Sequence, residues 1–113
     1  MSDMGIEVRF VDPADPNNFA EATDENTRAY YGEVLPNPSF EVFPISEVAE
    51  IGRPLGIPLI VDNTAAPVIC KPFDHGAAVL IHSTTKFIGG HGTSIGGIIC
   101  LLYTSPSPRD LAR

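Results

Sequence analysis

The chain has 113 residues, 43% of them hydrophobic, which allows one ordinary domain with a core of its own. Its net charge is −7 and no basic cluster interrupts it. That excludes nucleic acid and anionic membrane as partners, since both demand a positive surface. No apolar run approaches the roughly eighteen residues of a membrane span, and no basic-then-apolar leader follows Met1.

Ile6-Glu7-Val8-Arg9-Phe10-Val11 alternates and predicts a strand. Asp12 to Asn18 is a loop by composition, with Asn17 or Asn18 capping a short helix through Ala22. Thr27 to Leu35, carrying β-prone Tyr30 and Tyr31, predicts a second strand that Pro36-Asn37-Pro38 breaks. Ser46 is the expected N-cap of a helix that turns Val48, Ala49 and Ile51 inward and ends at Gly52 and Pro54. Ile57–Val61, Ala77–Ile81 and Ile95–Leu102 are short apolar runs that read as strands. Strands apolar throughout, separated by helix-like segments, indicate an α/β fold with a mostly parallel sheet covered by helices on both faces. Tyr103-Thr104-Ser105-Pro106-Ser107-Pro108-Arg109-Asp110 does not continue that pattern. We expect residues 100–113 to be a tail outside the fold, either disordered or of non-native origin such as translated adapter sequence. Cys70 and Cys100 make no disulfide framework and read as free thiols of a reducing, cytoplasmic setting.

In sheets of this kind ligands gather beyond the carboxyl ends of the strands. Asp62, Ser83 and Asn37 stand just past three such ends. The densest stretch is Ile81-His82-Ser83-Thr84-Thr85-Lys86-Phe87-Ile88-Gly89-Gly90-His91-Gly92, which follows Leu59-Ile60-Val61-Asp62-Asn63. One lysine behind hydroxyl residues, flanked by glycines and backed by a strand-terminal acid, is the set that pyridoxal phosphate (PLP) requires. The cofactor takes an amine at its aldehyde, hydroxyls at its phosphate and an anion at its ring nitrogen. A nucleotide-type phosphate loop is excluded by order, because its glycines precede Gly-Lys-Ser/Thr.

Each candidate has a plainer alternative. Lys86 taken alone is a solvated charge near a strand end; its neighbours make it the candidate amine. Asp62 either pairs with the ring nitrogen or caps the turn at Asn63-Thr64. Ser83 and Thr85 either donate to a phosphate or serve as turn hydroxyls. Asn37 is either a rigidly placed amide for the ring's phenolic oxygen or a turn residue. His75, His82 and His91, seven and nine residues apart, match no zinc spacing and read as structural.

Gly5 to Asp12, Leu59 to Thr64 and Ser83 to Gly97 together resemble the Cys/Met-metabolism family of fold-type I PLP enzymes, from about Gly5 to Ile99. The order Gly90-His91-Gly92-Thr93-Ser94 is nearer the sulfhydrylase branch than the cystathionine synthases and lyases. The resemblance implies that residues 1–99 form the central part of the large, PLP-binding domain. It implies Lys86 as the amine that holds PLP and shuttles protons, with Asp62, Ser83, Thr85 and Asn37 as further cofactor contacts. The implied reaction is a γ-replacement of methionine synthesis: O-acetyl-L-homoserine and sulfide, or a thiol, give L-homocysteine and acetate. A cystathionine γ-synthase or γ-lyase is the alternative within the family, and a non-catalytic fragment the alternative outside it. The implied assembly is a homo-oligomer, a tetramer. Family members are several times longer, and the parts of the site they carry upstream and downstream do not occur here. The resemblance therefore also implies that the chain alone is inactive. Ala65 stands where the family commonly has an aromatic residue.

Overall fold

The computed structural model describes residues 4–34, 42–66, 70–88, 90 and 95–101. Among the described residues four strands form one sheet in sequential order: β1 (Tyr30–Glu33), β2 (Leu59–Asp62), β3 (Val79–Ser83) and β4 (Gly97–Leu101). The first three run parallel, and β4 pairs antiparallel with β3. Two helices, α1 (Asn17–Ala22) and α2 (Ile45–Gly52), complete a mostly parallel α/β arrangement. Among the described residues no helix is long and apolar enough to cross a membrane.

The pleat sorts each strand into two sides. Tyr30, Gly32, Leu59, Val61 and Leu80 point toward the helices and are buried. In α2 the buried residues are Ile45, Val48, Ala49 and Gly52, the i, i+3, i+4, i+7 stripe of a helix packed on one side. The shorter α1 buries only Phe19, whose ring stands edge-on to Tyr30 at 5.6 Å and to Phe43 at 5.8 Å. Thr23 Oγ1 meets the Tyr30 hydroxyl at 2.6 Å, so the buried phenol keeps a polar partner. Leu59, Val61 and Val48 are almost wholly removed from water. Each contributes on the order of 1.5–3 kcal/mol by burial. The opposite side of the sheet carries Tyr31, Glu33, Ile60, Asp62, Ile81 and Ser83, with Tyr31 still 53% exposed.

Four expectations shift at this stage. Neither Asn17 nor Asn18 caps α1, which starts at Asn17 behind Pro16 without a side-chain cap; the Asn17 amide donates to Asp15 Oδ1 instead. Residues 6–11 are not a strand: Ile6, Val8 and Phe10 are exposed, Phe10 by 97%. Alternation fixes a face but supplies no ladder partner, and no described strand lies beside this segment. It is tethered instead by Arg9, which pairs with Glu7 at 2.7 Å and Asp24 at 2.8 Å and donates to the Ala22 carbonyl. Ser46 is not the N-cap, because α2 begins one residue earlier behind Pro44 without a side-chain cap. The Ser46 hydroxyl lies 3.4 Å from His75 Nδ1. Residues 27–35 contribute a strand only from Tyr30, because Thr27 is spent in a turn. Its amide donates to the Asp24 carbonyl and its Oγ1 accepts from the Asp24 amide.

Candidate functional site

The parallel pairing of β1, β2 and β3 brings their carboxyl ends to one edge. Register sets Glu33 opposite Asp62, and Asp62 opposite Ile81, two residues before Ser83. Asp62 and Ser83 are thus the last residues of adjacent strands, rather than just past the ends as the apolar runs predicted. Glu33, Asp62 and Ser83 share the side of the sheet away from the helices.

Immediately beyond the ladder the Asn63 amide donates to the Ile81 carbonyl at 2.9 Å. The chain then turns at Thr64. The Thr64 amide and its Oγ1 both donate to Asp62 Oδ1, at 2.9 and 2.5 Å. The same Oγ1 accepts the Ser83 amide at 2.8 Å. Asp62 therefore does cap a local turn, and the Thr64 hydroxyl joins that turn to the Ser83 strand end. On the helix side Asn63 is 1% exposed; its Nδ2 donates to the Cys70 carbonyl at 3.0 Å. Asn63 Oδ1 and His82 Nδ1 are buried without a partner among the described residues.

Lys86 lies three positions after Ser83 in the wide helical turn Thr84–Ile88, which its own backbone interrupts at φ −88°, ψ −113°. The residue is exposed. Gly90, at φ 71°, closes the turn by donating its amide to the Lys86 carbonyl at 2.9 Å. That left-handed backbone suits a residue without a Cβ. Thr85 differs from Ser83. Its Oγ1 accepts the Gly96 amide at 3.0 Å and reaches the Gly96 carbonyl at 3.5 Å, tying the turn to the start of β4. Asn37 lies outside the described residues, as do Gly89, His91, Gly92 and residues 102–113, whereas Cys100 and Leu101, expected in the tail, pair with β3 as part of β4.

Tyr31 is a neighbour that the sequence did not single out. Burial, followed by the negative charges of Asp62 and Glu33 and a hydrogen bond to Asp62, pushes its phenol above the usual tyrosine range. Thr64 was likewise visible only as a turn residue; an Asp-x-Thr run at a strand end is the local signal that could have marked it. Burial also raises the Cys70 thiol, and both Cys70 and Cys100 are free. A shallow cleft lined by Ala49, Arg53, Ile57, Pro58 and Gly76 lies at the amino ends of β2 and β3 and contains none of these groups.

A carboxylate and a strand-end hydroxyl thus share one sheet edge, an exposed lysine follows in the next turn, and the chemistry of this set fits PLP. Residues 1–106 match the family model described as Cys/Met metabolism PLP-dependent enzyme. The chain belongs to this family. Over 97 residues it is 50% identical to the O-acetyl-L-homoserine sulfhydrylase of Leptospira meyeri, a match covering 85% of this chain and 22% of that protein. It is 47% identical over 98 residues to the homocysteine synthase of Schizosaccharomyces pombe, covering 85% of this chain and 23% of that protein. A crystal structure from Campylobacter jejuni, described as an O-acetylhomoserine (thiol)-lyase, superposes with a TM-score of 0.87 at 35% identity. That likeness covers 91% of this chain and 26% of the other, and the other protein carries an N′-pyridoxyl-lysine-5′-monophosphate. The chain spans about a quarter of the length of these Cys/Met metabolism relatives.

Proposed function

We propose that residues 1–99 act as part of the PLP-binding domain of a γ-replacement enzyme. It would convert O-acetyl-L-homoserine and sulfide into L-homocysteine and acetate, in the cytoplasm and as a homo-oligomer. The observation that carries this reading is the strand-end arrangement: Asp62 and Ser83 on adjacent parallel strands, with Lys86 in the turn that follows. The 50% identity to a protein named O-acetyl-L-homoserine sulfhydrylase supports the choice of reaction.

In this reading Lys86 holds the cofactor aldehyde through Nζ, and Ser83 and Thr85 donate hydroxyl hydrogen bonds toward the phosphate. Asp62 faces the ring nitrogen, and Asn37 the phenolic oxygen. When bound, PLP supplies an electron sink for the charge left at the substrate Cα. Lys86 Nζ would take the proton from the substrate Cα and return it to a neighbouring carbon. A flexible amine three residues beyond a fixed strand end can move a proton between adjacent carbons without displacing Asp62 or Ser83. The C–O bond at the substrate Cγ breaks with release of acetate, and sulfide forms the C–S bond at the same carbon. The commitment of Thr85 Oγ1 to Gly96 means that it must exchange at least one bond to contact a phosphate.

The test supplies the full-length protein with PLP, O-acetyl-L-homoserine and sulfide and measures L-homocysteine against a blank of free PLP. Formation well above the blank, abolished by Lys86→Ala, is the expected result. No homocysteine above the blank refutes the reading. Preferential formation of cystathionine when L-cysteine replaces sulfide would move the protein to the synthase branch.

A further inference from the structure

Thr64 makes a connection that the roles above leave unused. Bonding of an Asp side chain to the amide two residues on is a common local turn. The bond from the Ser83 amide to Thr64 Oγ1 is not local, since it links residues 19 apart in sequence and two separate strands. An amide can only donate, so at that contact the hydroxyl must accept, and its single proton is free for another acceptor. That acceptor is Asp62 Oδ1, at 2.5 Å, which also receives the Thr64 amide. Two donors from one residue fix the carboxylate's rotation, and the third bond fixes Thr64 itself to β3. Any displacement of one strand end is transmitted to the other through a single hydroxyl.

We propose that Thr64 is the positioning residue of the cofactor site: through its hydroxyl it sets the Asp62 carboxylate for the ring nitrogen and ties it to the Ser83 strand end. The proposal rests on the reading of Asp62 as the group that faces the ring nitrogen. Thr64 itself need not touch the cofactor. Its part is to hold two contacts, one near the ring and one near the phosphate, at a constant separation while Lys86 moves.

The experiment compares Thr64→Ser, Thr64→Val, Asp62→Asn and the double variant Asp62→Asn/Thr64→Val in the full-length protein. The dissociation constant for PLP is measured by titrating the apoprotein, and near-UV circular dichroism reports the fold. Thr64→Val keeps the shape and loses the hydroxyl; it should weaken PLP binding roughly 10- to 100-fold, as expected for a lost hydrogen bond to a charged group. Thr64→Ser keeps the hydroxyl and should stay within about threefold of wild type. Because Thr64 acts through Asp62, the double variant should bind no more than about threefold worse than Asp62→Asn alone. Unchanged binding in Thr64→Val overturns the proposal, as does equal weakening by Ser and Val or full additivity in the double variant. Should Thr64→Val not fold, Thr64→Ala carries the same expectation, and failure of both to fold assigns Thr64 to the scaffold and overturns the proposal. Wild-type PLP binding in Asp62→Asn, alongside weakened binding in Thr64→Val, refutes the assignment of Asp62 and the proposal falls with it, whereas weakened binding in Asp62→Asn beside unchanged binding in Thr64→Val overturns the proposal alone.

Discussion

Gly32 offers a quantitative test of how β1 is held against the helices. A Cβ built on Gly32 would lie 2.3, 2.5 and 2.7 Å from three atoms of the Phe43 ring. Phe43 is itself buried and packs edge-on against Phe19 at 5.8 Å, so the ring has little room to yield. Two outcomes bracket the cost of Gly32→Ala. If the ring shifts within the core, the overpacking costs about 1–3 kcal/mol. If the ring is expelled, its burial, about 1.5–3 kcal/mol, and the aromatic pair, about 0.5–1.5 kcal/mol, are lost together. The stability loss should therefore fall between about 1 and 4.5 kcal/mol. It is measured by urea unfolding of the full-length protein at constant m. The Phe43→Ala background supplies the decisive comparison, since without the ring the clash disappears. There Gly32→Ala should cost at least about 1 kcal/mol less than in the wild type. A loss below about 0.5 kcal/mol, or additive costs, would show that Gly32 is not chosen for its contact with Phe43. The same variant reports on the site, because Gly32 pairs in register with Val61, one residue before Glu33 meets Asp62.

Borohydride reduction of the PLP-loaded full-length protein should attach the cofactor to the peptide containing Lys86, and label on Lys71 would refute the assignment. Asp62→Asn retains an oxygen for the Thr64 donors but loses the charge; it should lower kcat by roughly 10²–10³-fold while changing KM much less, as for a lost transition-state charge contact. A near-normal kcat in that variant counts against the role. The raised Tyr31 phenol favours the protonated form in the folded state, so its contribution to stability is full below the ordinary tyrosine value near 10.0 and is lost as pH rises from there through the higher value of the folded state. Urea midpoints measured from pH 9 upward should fall less steeply in Tyr31→Phe than in the wild type, and identical slopes would remove Tyr31 from the Asp62 cluster.

What the sequence could disclose depended on whether an element's signal was local. The apolar runs around Leu59–Val61 and Leu80 announce strands buried against helices, and Val48, Ala49 and Ile51 ahead of Gly52 and Pro54 announce α2 without help from the rest of the chain. The segment 6–11 carries an equally regular pattern and is not a strand, because pairing is a property of two segments and only one was in view. Ser46 fails as a cap for a related reason. Pro44 already starts the helix, and the serine hydroxyl finds His75, far away in sequence.

The site divides along the same line. Asp62, Ser83 and Lys86 were legible because each stands at or just beyond the end of an apolar strand, where ligands collect in parallel sheets. Their mutual arrangement was not, because it depends on the register of β2 with β3. Parallel strands cannot be joined by a tight turn, so a crossover must separate the acid from the hydroxyl in sequence before pairing reunites them. Once Ile60 meets Val79 and Asp62 meets Ile81, the Ser83 amide comes within reach of the turn that follows Asp62. A slip of one residue would turn the side chains of a strand to the other side of the sheet and carry the carboxylate away from the edge it shares with Ser83. The buried alternation of Leu59 and Val61 against Leu80 makes such a slip costly, since apolar groups would be exposed with it. Core packing on the helix side thus sets the arrangement of Asp62 and Ser83 on the other side, and Thr64 bonds to both strands at the point where that register delivers them.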